Sequence, residues 1–294
     1  MNEKVWPAGK SLAGKTVAIP GATGGIGVPV CRMLLRLSAR LVLVCRNRDK
    51  AAELIVQLKT EFPEAHIFWV PVDLSDMESV KDAVKELNNL PVDILIHNAG
   101  AYAIPETVCA TGFHPVYQIN FVSPYYMTRK LLPHLQQRHA KVIVVGSIAH
   151  NYSHMDPRNC DFKGKKISKV YGNSKRYLMF AMAELMKQYP DVRFAIAHPG
   201  LAFTAMSNHF SKFTYALLKW PMKLIYMKPE KSARSIVMAI FKKVPYLHWI
   251  GPGHFHIWGD PKISKLTTCD VRERRAIYKT AEKIYTELEE NNGK

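Results

Sequence analysis

A tyrosine and a lysine four residues apart, Tyr171 and Lys175, form a pattern in this chain that can carry acid–base chemistry. On a helix, two residues with this spacing lie on the same face one turn apart, so an ammonium group can approach a phenol. A phenol has a pKa of about 10, and a neighbouring cation lowers it by favouring the phenolate. Such a tyrosine can donate or accept a proton near neutral pH.

The same spacing occurs twice more, from Tyr126 to Lys130 and from Tyr215 to Lys219, so the pattern alone is weak. Two side chains without any chemical role on the surface of a helix would show it equally well. The choice among the three pairs therefore depends on the elements that position them.

A glycine-rich turn near the N-terminus predicts a nucleotide-binding element. A predicted strand over 15–20 leads into Gly21-Ala-Thr-Gly-Gly-Ile-Gly27, and a helical run over 28–37 follows. Glycines let the backbone approach a pyrophosphate, and the helix N-terminus supplies N–H groups and a favourable dipole. The alternative is a tight turn that binds nothing.

Two arginines after the second predicted strand indicate which dinucleotide this element prefers. The strand over 40–45 is followed by Arg46-Asn47-Arg48, at a position where an acidic residue would hold the ribose hydroxyls of NAD. Guanidinium groups instead suit a 2′-phosphate, through charge-assisted hydrogen bonds. The sequence therefore predicts NADP(H) in preference to NAD(H), unless these arginines simply begin a solvated helix.

Extended and helical patterns alternate along most of the chain. This alternation predicts a single α/β domain, a Rossmann-type doubly wound parallel sheet of about seven strands flanked by helices. Further strands are predicted at 66–72, 93–96, 142–145 and 192–197, and helices at 49–60, at 75–88 with a capping box from Ser75 to Glu78, at 118–137 and around Tyr171. The remaining parts are an N-terminal arm at 1–14, a substrate lid at 206–228 and a C-terminal helical extension at 261–294.

The composition of the chain argues against nucleic-acid binding, a zinc site and a membrane span. The net charge is +17, from 41 Lys+Arg against 24 Asp+Glu, but the basic residues are dispersed and no nucleic-acid motif accompanies them. Five scattered cysteines without a CxxC pair favour free thiols and argue against a zinc site. His254 and His256 are interpreted as surface histidines. No apolar run predicts a membrane span or a secretory signal, so a cytoplasmic location is expected.

Taken together, the motifs resemble the short-chain dehydrogenase/reductase family. They occur in the family's order and cover nearly the whole chain: Gly21-x-x-x-Gly25-x-Gly27, Asp73, Asn98-Ala99-Gly100, Asn120, Ser147, Tyr171-x-x-x-Lys175 and Pro199-Gly200. The residues that flank these motifs are most similar to those of the retinol-dehydrogenase-like branch. The resemblance selects Tyr171 among the three tyrosine–lysine pairs, because only this pair has the serine-bearing strand before it and Pro-Gly after it.

The resemblance implies hydride transfer between a nicotinamide and an alcohol or carbonyl carbon. Tyr171 would exchange the proton, Ser147 would bind the carbonyl oxygen, and Lys175 would bind the nicotinamide ribose and lower the pKa of Tyr171. Asn120 would hold a water that links Lys175 to solvent, and Thr204 would hold the carboxamide. The implied cofactor-binding residues are Gly21, Thr23, Gly25, Ile26, Gly27, Arg46, Asn47, Arg48, Asp73, Leu74, Asn98, Ala99, Gly100, Tyr171, Lys175, Pro199, Gly200 and Thr204.

Three positions depart from the family pattern. Pro20 stands where threonine is usual, His97 replaces the first asparagine of Asn-Asn-Ala-Gly, and Gly146 replaces the first of two serines. None of the three removes a group with a catalytic role, so we expect them to affect the fit of the cofactor only.

The segment 206–228 predicts the character of the substrate. It is rich in apolar and aromatic residues, contains interleaved lysines and lacks acidic residues. An amphipathic lid of this kind would cover a lipophilic substrate, such as a steroid or retinoid, and touch an anionic membrane weakly. A helix pair packed on the domain is the alternative.

Two alternative functions remain open for the whole protein: a non-catalytic NADP-binding scaffold and a reductase of small carbonyl compounds. A homo-oligomer is compatible with the fold.

Overall fold

The computed structural model describes residues 7, 9–102, 104, 108–160, 162–201 and 227–290. In these residues an eight-stranded sheet has the order β3-β2-β1-β4-β5-β6-β7-β8. The neighbours from β3 to β7 pair in parallel, whereas β7 and β8 pair antiparallel. The strands are Thr16–Pro20 (β1), Arg40–Cys45 (β2), Ile67–Pro71 (β3), Val92–His97 (β4), Lys141–Val145 (β5), Arg193–Ala197 (β6), His248–His254 (β7) and Trp258–Lys265 (β8).

Helices cover both faces of this sheet. They are Gly27–Arg36 (α1), Arg48–Glu61 (α2), Met77–Asn88 (α3), Pro115–Tyr117 (α4), Ser123–Gln137 (α5), Ile167–Gln188 (α6), Pro229–Phe241 (α7) and Val271–Glu290 (α8), with a π-helical stretch at Gln118–Val122 and a 3₁₀ turn at Ile148–Asn151. The buried residues form two cores, one on each face of the sheet. None of the helices in the described ranges is long and apolar enough to cross a bilayer.

The predicted doubly wound architecture is confirmed, with two differences at the C-terminal side. The sheet has eight strands, because Trp258–Lys265 pairs along β7. The predicted helical extension over 261–294 is therefore wrong at its start, and its helix covers Val271–Glu290. Glycine and proline in β8 made this strand hard to recognise from the sequence, since both are disfavoured in strands.

The predicted capping box at the start of α3 is also wrong. The helix begins at Met77, and the Asp76 side chain accepts the hydrogen bond from Glu78 N at 3.0 Å. Ser75 lies outside the helix, where its hydroxyl donates to Asp73 Oδ1 at 2.6 Å. The cause is the nearby carboxylate of Asp73, which binds the serine hydroxyl and leaves the cap to Asp76.

The C-terminal helix α8 is attached to α5 and α6 by ion pairs. Glu282 accepts two hydrogen bonds from Arg129, and Glu289 accepts one from Lys130 Nζ at 2.6 Å and one from Tyr126 Oη at 2.6 Å. Tyr126 and Lys130 thus share a carboxylate of α8, so the second tyrosine–lysine pair has a structural role. The third pair, at Tyr215 and Lys219, lies outside the described residues.

Candidate active site

The predicted site residues gather where the strand order reverses, between β1 and β4. The loops that follow these two adjacent strands run to opposite sides of the sheet, and this opens a crevice at the carboxyl ends of the strands. Asn98 follows β4, Ser147 follows β5, and His198 follows β6. The crevice therefore brings together residues that are far apart in the sequence.

The glycine turn after β1 fits a pyrophosphate. Gly21 has φ +82°, and a Cβ there would lie 2.6 Å from Ala99 Cα, so only glycine can occupy this position without a clash. The helix α1 begins after Ile26 without any side-chain cap and has no acidic residue in its first turn. Its N–H groups can therefore serve an anionic ligand.

The side chains around this turn hold it in place. Asn98 Nδ2 donates to Gly21 O at 2.9 Å, while its buried Oδ1 has no hydrogen-bond partner among the described residues. Thr23 hydrogen-bonds the thiol of Cys45 at the end of β2. The unpaired amide oxygen of Asn98 is a polar group that a bound dinucleotide could satisfy.

At the end of the crevice predicted to hold the adenosine, the five predicted residues have different environments. Arg46 is 73% exposed, and its Nη1 lies 3.2 Å from Asp73 Oδ2. Burial opposes ionisation of Asp73, but hydrogen bonds from Ser75 and Arg46 outweigh it and hold its pKa below the usual range. Asn47 is the N-cap of α2 and accepts from Lys50 N, and the exposed Arg48 is the first residue of that helix. Leu74 is buried beside Asp73.

Tyr171 and Ser147 lie next to each other in the crevice. Tyr171 lies in α6 with 9% of its surface exposed, and its phenol hydrogen-bonds the Ser147 side chain. The ring of Tyr102 contacts the Tyr171 ring edge-to-face, with centroids 5.2 Å apart. Burial raises the pKa of Tyr171, the Ser147 hydrogen bond opposes this, and Tyr102 adds to the increase.

Lys175 lies one turn further along α6 and is also buried. Its Nζ donates to Val145 O at 3.1 Å, and burial lowers its pKa to about 8. The predicted lowering of the Tyr171 pKa by this ammonium group is therefore wrong for the protein alone. Desolvation dominates both groups, because it disfavours the phenolate and the ammonium ion alike.

Asn120 lies in the π-helical stretch between α4 and α5, and its side chain is fully buried. Its Oδ1 accepts from Ala101 N at 2.8 Å, and its Nδ2 donates to Ala101 O at 2.8 Å and to Ser174 Oγ at 3.0 Å. Asn120 thus joins the loop after β4 to the residue before Lys175. The predicted water between Asn120 and Lys175 stays a prediction.

The sequence of this chain matches a known protein family. The sequence model of the short chain dehydrogenase family matches residues 15–214, which is more than half of the chain. The chain belongs to the short-chain dehydrogenase family. Its members are NAD(P)-dependent oxidoreductases that act on alcohols, and the residues of the crevice fit such a dinucleotide.

Individual relatives place this short-chain dehydrogenase near the retinol-dehydrogenase-like branch. Retinol dehydrogenase 13 of Homo sapiens is 27% identical over 81% of this chain and 76% of its own length. Polyprenol dehydrogenase of Mus musculus is 25% identical over 81% of this chain and 74% of its own length. A solved structure of an uncharacterised protein from Mycobacterium paratuberculosis shares the fold, with a TM-score of 0.74 at 22% identity over 94% of this chain and 95% of that one.

Two departures of this short-chain dehydrogenase from the family pattern have a structural explanation. His97 is buried, its Nε2 lies 2.7 Å from Thr128 Oγ1, and burial together with Lys175 lowers its pKa to about 3. The imidazole therefore stays neutral beside the ammonium group. A Cβ at Gly146 would lie 2.7 Å from Sδ of the buried Met179, so the core fills the space of the usual serine. Pro20 ends β1 with no comparable explanation.

The loop after β6 contains the predicted Pro199 and Gly200, which are half-buried. It is anchored by His198, whose ring stacks on Trp249 with centroids 3.9 Å apart and whose Nδ1 accepts from Gly200 N at 3.2 Å. A Cβ at Gly251 would lie 2.0 Å from the His198 ring. The imidazole therefore fits against β7 only because position 251 is glycine. The predicted carboxamide contact, Thr204, lies outside the described residues.

Sequence reasoning missed Arg176, which is completely buried next to Lys175. Its Nε donates to Glu273 Oε1 at 2.6 Å, its Nη1 to His150 O at 3.1 Å and its Nη2 to Thr268 O at 2.6 Å. His150 in turn binds Ser147 O through Nδ1 at 2.7 Å. Arg176 thereby connects the helix of Tyr171, the loop of Ser147 and α8. No local sequence pattern identifies such a residue, because charged side chains are mostly exposed unless they are paired.

Proposed function

We propose that this protein is an NADP(H)-dependent oxidoreductase that interconverts an alcohol and a carbonyl group on a bulky lipophilic substrate. The observation that carries the proposal is the buried contact between the Tyr171 phenol and Ser147, one helical turn from the buried Lys175. A bound nicotinamide dinucleotide supplies the hydride or accepts it. Gly21, the N-terminus of α1 and Asn98 would hold its pyrophosphate side, and Lys175 its nicotinamide ribose.

The protein's own residues would handle the proton and the developing charge. Tyr171 donates a proton to the forming alkoxide in reduction and accepts one in oxidation. Ser147 donates a hydrogen bond to the same oxygen, which stabilises the charge that develops there. The raised pKa of Tyr171 keeps the phenol protonated and ready to donate, and a cation near the phenol would favour proton removal in the oxidative direction.

The proposed preference for NADP(H) rests on Arg46, which lies beside Asp73, and on Arg48, the first residue of α2. Arg46 is exposed and pairs with a carboxylate only through one contact, so its guanidinium group can also reach a 2′-phosphate. No acidic residue takes the place after β2 where a ribose diol would be held.

Replacing Arg46 and Arg48 together by glutamine should weaken NADPH binding about ten- to a hundredfold, because a charged hydrogen bond contributes about 1.5–3 kcal/mol. NADH binding should change little, since it lacks the 2′-phosphate. Isothermal titration of both cofactors measures the difference. Arg32→Gln is the matched control, because Arg32 pairs with Glu61 between α1 and α2 and should leave both affinities unchanged. A parent protein that prefers NADH would refute the cofactor proposal.

The lipophilic substrate is supported by the composition of 206–228 and by two relatives named for retinol and polyprenol, which are long apolar alcohols. We expect NADPH-dependent reduction of retinaldehyde and steroid ketones with a kcat/KM at least about tenfold above that of small polar carbonyls, because each buried methylene contributes about 0.8 kcal/mol. NADPH absorbance with a panel of such carbonyls measures this. A clear preference for small polar carbonyls would contradict it.

We also propose weak peripheral contact with an anionic membrane surface, from the net charge of +17 and the lysines among apolar residues in 206–228. A lipophilic substrate partitions into the bilayer, so an enzyme that touches the surface meets its substrate there. Co-sedimentation with anionic vesicles at low and high salt tests the contact, and salt should release the protein.

A further inference from the structure

The hairpin between β7 and β8 ends in a turn with an unusual backbone. Ile257 N donates to His254 O at 2.9 Å, and both central residues have positive φ, +51° at Phe255 and +58° at His256. Glycine, asparagine and aspartate are the residues that usually occupy such positions. A phenylalanine and a histidine there adopt a conformation that their Cβ atoms disfavour.

The turn directs its two central side chains to opposite sides. The His256 ring packs towards the protein, with centroids 5.1 Å from Trp249 and 5.7 Å from His198, so it is not the simple surface histidine that the sequence suggested. The Phe255 side chain points outward and is 84% exposed. Its neighbour Trp258 is 39% exposed on the same hairpin. Burial within this protein therefore does not compensate the strained conformation of Phe255.

The surroundings of this aromatic tip are basic. Lys262 is exposed on β8, while the one acidic residue of the hairpin, Asp260, lies 3.5 Å from Arg234. The whole chain carries a net charge of +17. A partner that binds this tip must therefore be compatible with positive charge, which favours an anionic surface. A second copy of this chain would be repelled by its own charge.

We propose that the tip of the β7–β8 hairpin is a membrane-contact site, which inserts Phe255 between the headgroups of an anionic bilayer while Lys262 of β8 faces the phosphates. Transfer of the Phe255 ring from water into the bilayer is favourable and would offset the unfavourable backbone conformation of this residue. The site also lies beside the crevice, because a Cβ at Gly200 would be 2.6 Å from Ile257 O. The proposal rests on the proposed membrane contact and locates it.

Replacing Phe255 by asparagine tests the site without threatening the fold. Asparagine tolerates positive φ, so the melting temperature should equal or exceed that of the parent. Binding to vesicles of phosphatidylserine and phosphatidylcholine at low salt should weaken about tenfold, because the variant no longer buries the aromatic ring in the bilayer. Phe255→Leu, which keeps an apolar side chain at the same φ, should bind within about threefold of the parent.

The control is Phe68→Thr, which removes a phenylalanine that is 49% exposed on β3, at the opposite edge of the sheet. This variant should bind vesicles like the parent. If Phe255→Asn binds as tightly as a parent that does sediment, or if Phe68→Thr is equally impaired, the hairpin site is wrong and the general membrane contact stands. A parent that does not sediment at low salt overturns both membrane proposals, and the carbonyl panel still decides the proposed enzymatic function.

Discussion

Replacing Tyr171 by phenylalanine is expected to lower kcat about a thousandfold, the middle of the range for loss of a positioned acid or base. The variant keeps the ring that packs against Tyr102 and loses only the hydroxyl that hydrogen-bonds Ser147. NADPH affinity should stay within about threefold, because the phenol transfers the proton and contributes little to binding. Steady-state turnover of the preferred carbonyl, together with calorimetric titration of NADPH, measures the two effects.

Tyr126→Phe is the matched control for this change, since it removes a hydroxyl that binds Glu289 far from Ser147. Its turnover should remain close to that of the parent protein. If Tyr171→Phe retained activity within about tenfold of the parent, the proton would come from another group, and the assignment of Tyr171 would be wrong.

Arg176→Met should cause the largest loss of stability among single substitutions at these ion pairs. Removing one partner of a buried ion pair costs about 3–5 kcal/mol, because the other charge stays without compensation. Glu273 keeps 20% of its side chain exposed, which argues for the lower end of that range. The carbonyl oxygens of His150 and Thr268 also lose their donors. Urea unfolding measures the change in the free energy of unfolding.

The control is Arg158→Met, which breaks an ion pair with Asp156 on the surface, where the arginine side chain is 75% exposed. Its unfolding curve should overlie that of the parent, because exposed pairs contribute little. Equal midpoints for Arg176→Met and Arg158→Met would show that the Arg176 contacts do not hold α6, α8 and the Ser147 loop together.

The sequence predicted the parts of this protein that depend on local pattern. The alternation of strands and helices predicted the order of the elements, and the structure adds that the glycine turn lies at the reversal of the strand order. The motifs also identified Tyr171 and Ser147, which lie next to each other in the structure. These features are readable because a glycine turn and a strand end impose short-range constraints on residue type.

What could not be predicted depends on contacts between distant segments. Arg176 pairs with a residue 97 positions away, so no local pattern reveals that it is buried. The π-helical stretch around Asn120 has no propensity signal, although such bulges often mark functional sites. The pKa values of Tyr171 and Lys175 depend on how much water the folded crevice excludes, which spacing alone does not determine.

The close fit between His198 and Gly251 has an evolutionary consequence. Because a Cβ at position 251 would overlap an imidazole already stacked on Trp249, no substitution at Gly251 is neutral while His198 is present. The two positions are therefore epistatic, and their order of change is constrained. A smaller residue must first replace His198 before position 251 can gain a side chain, so a lineage that departs from this pair does so through position 198.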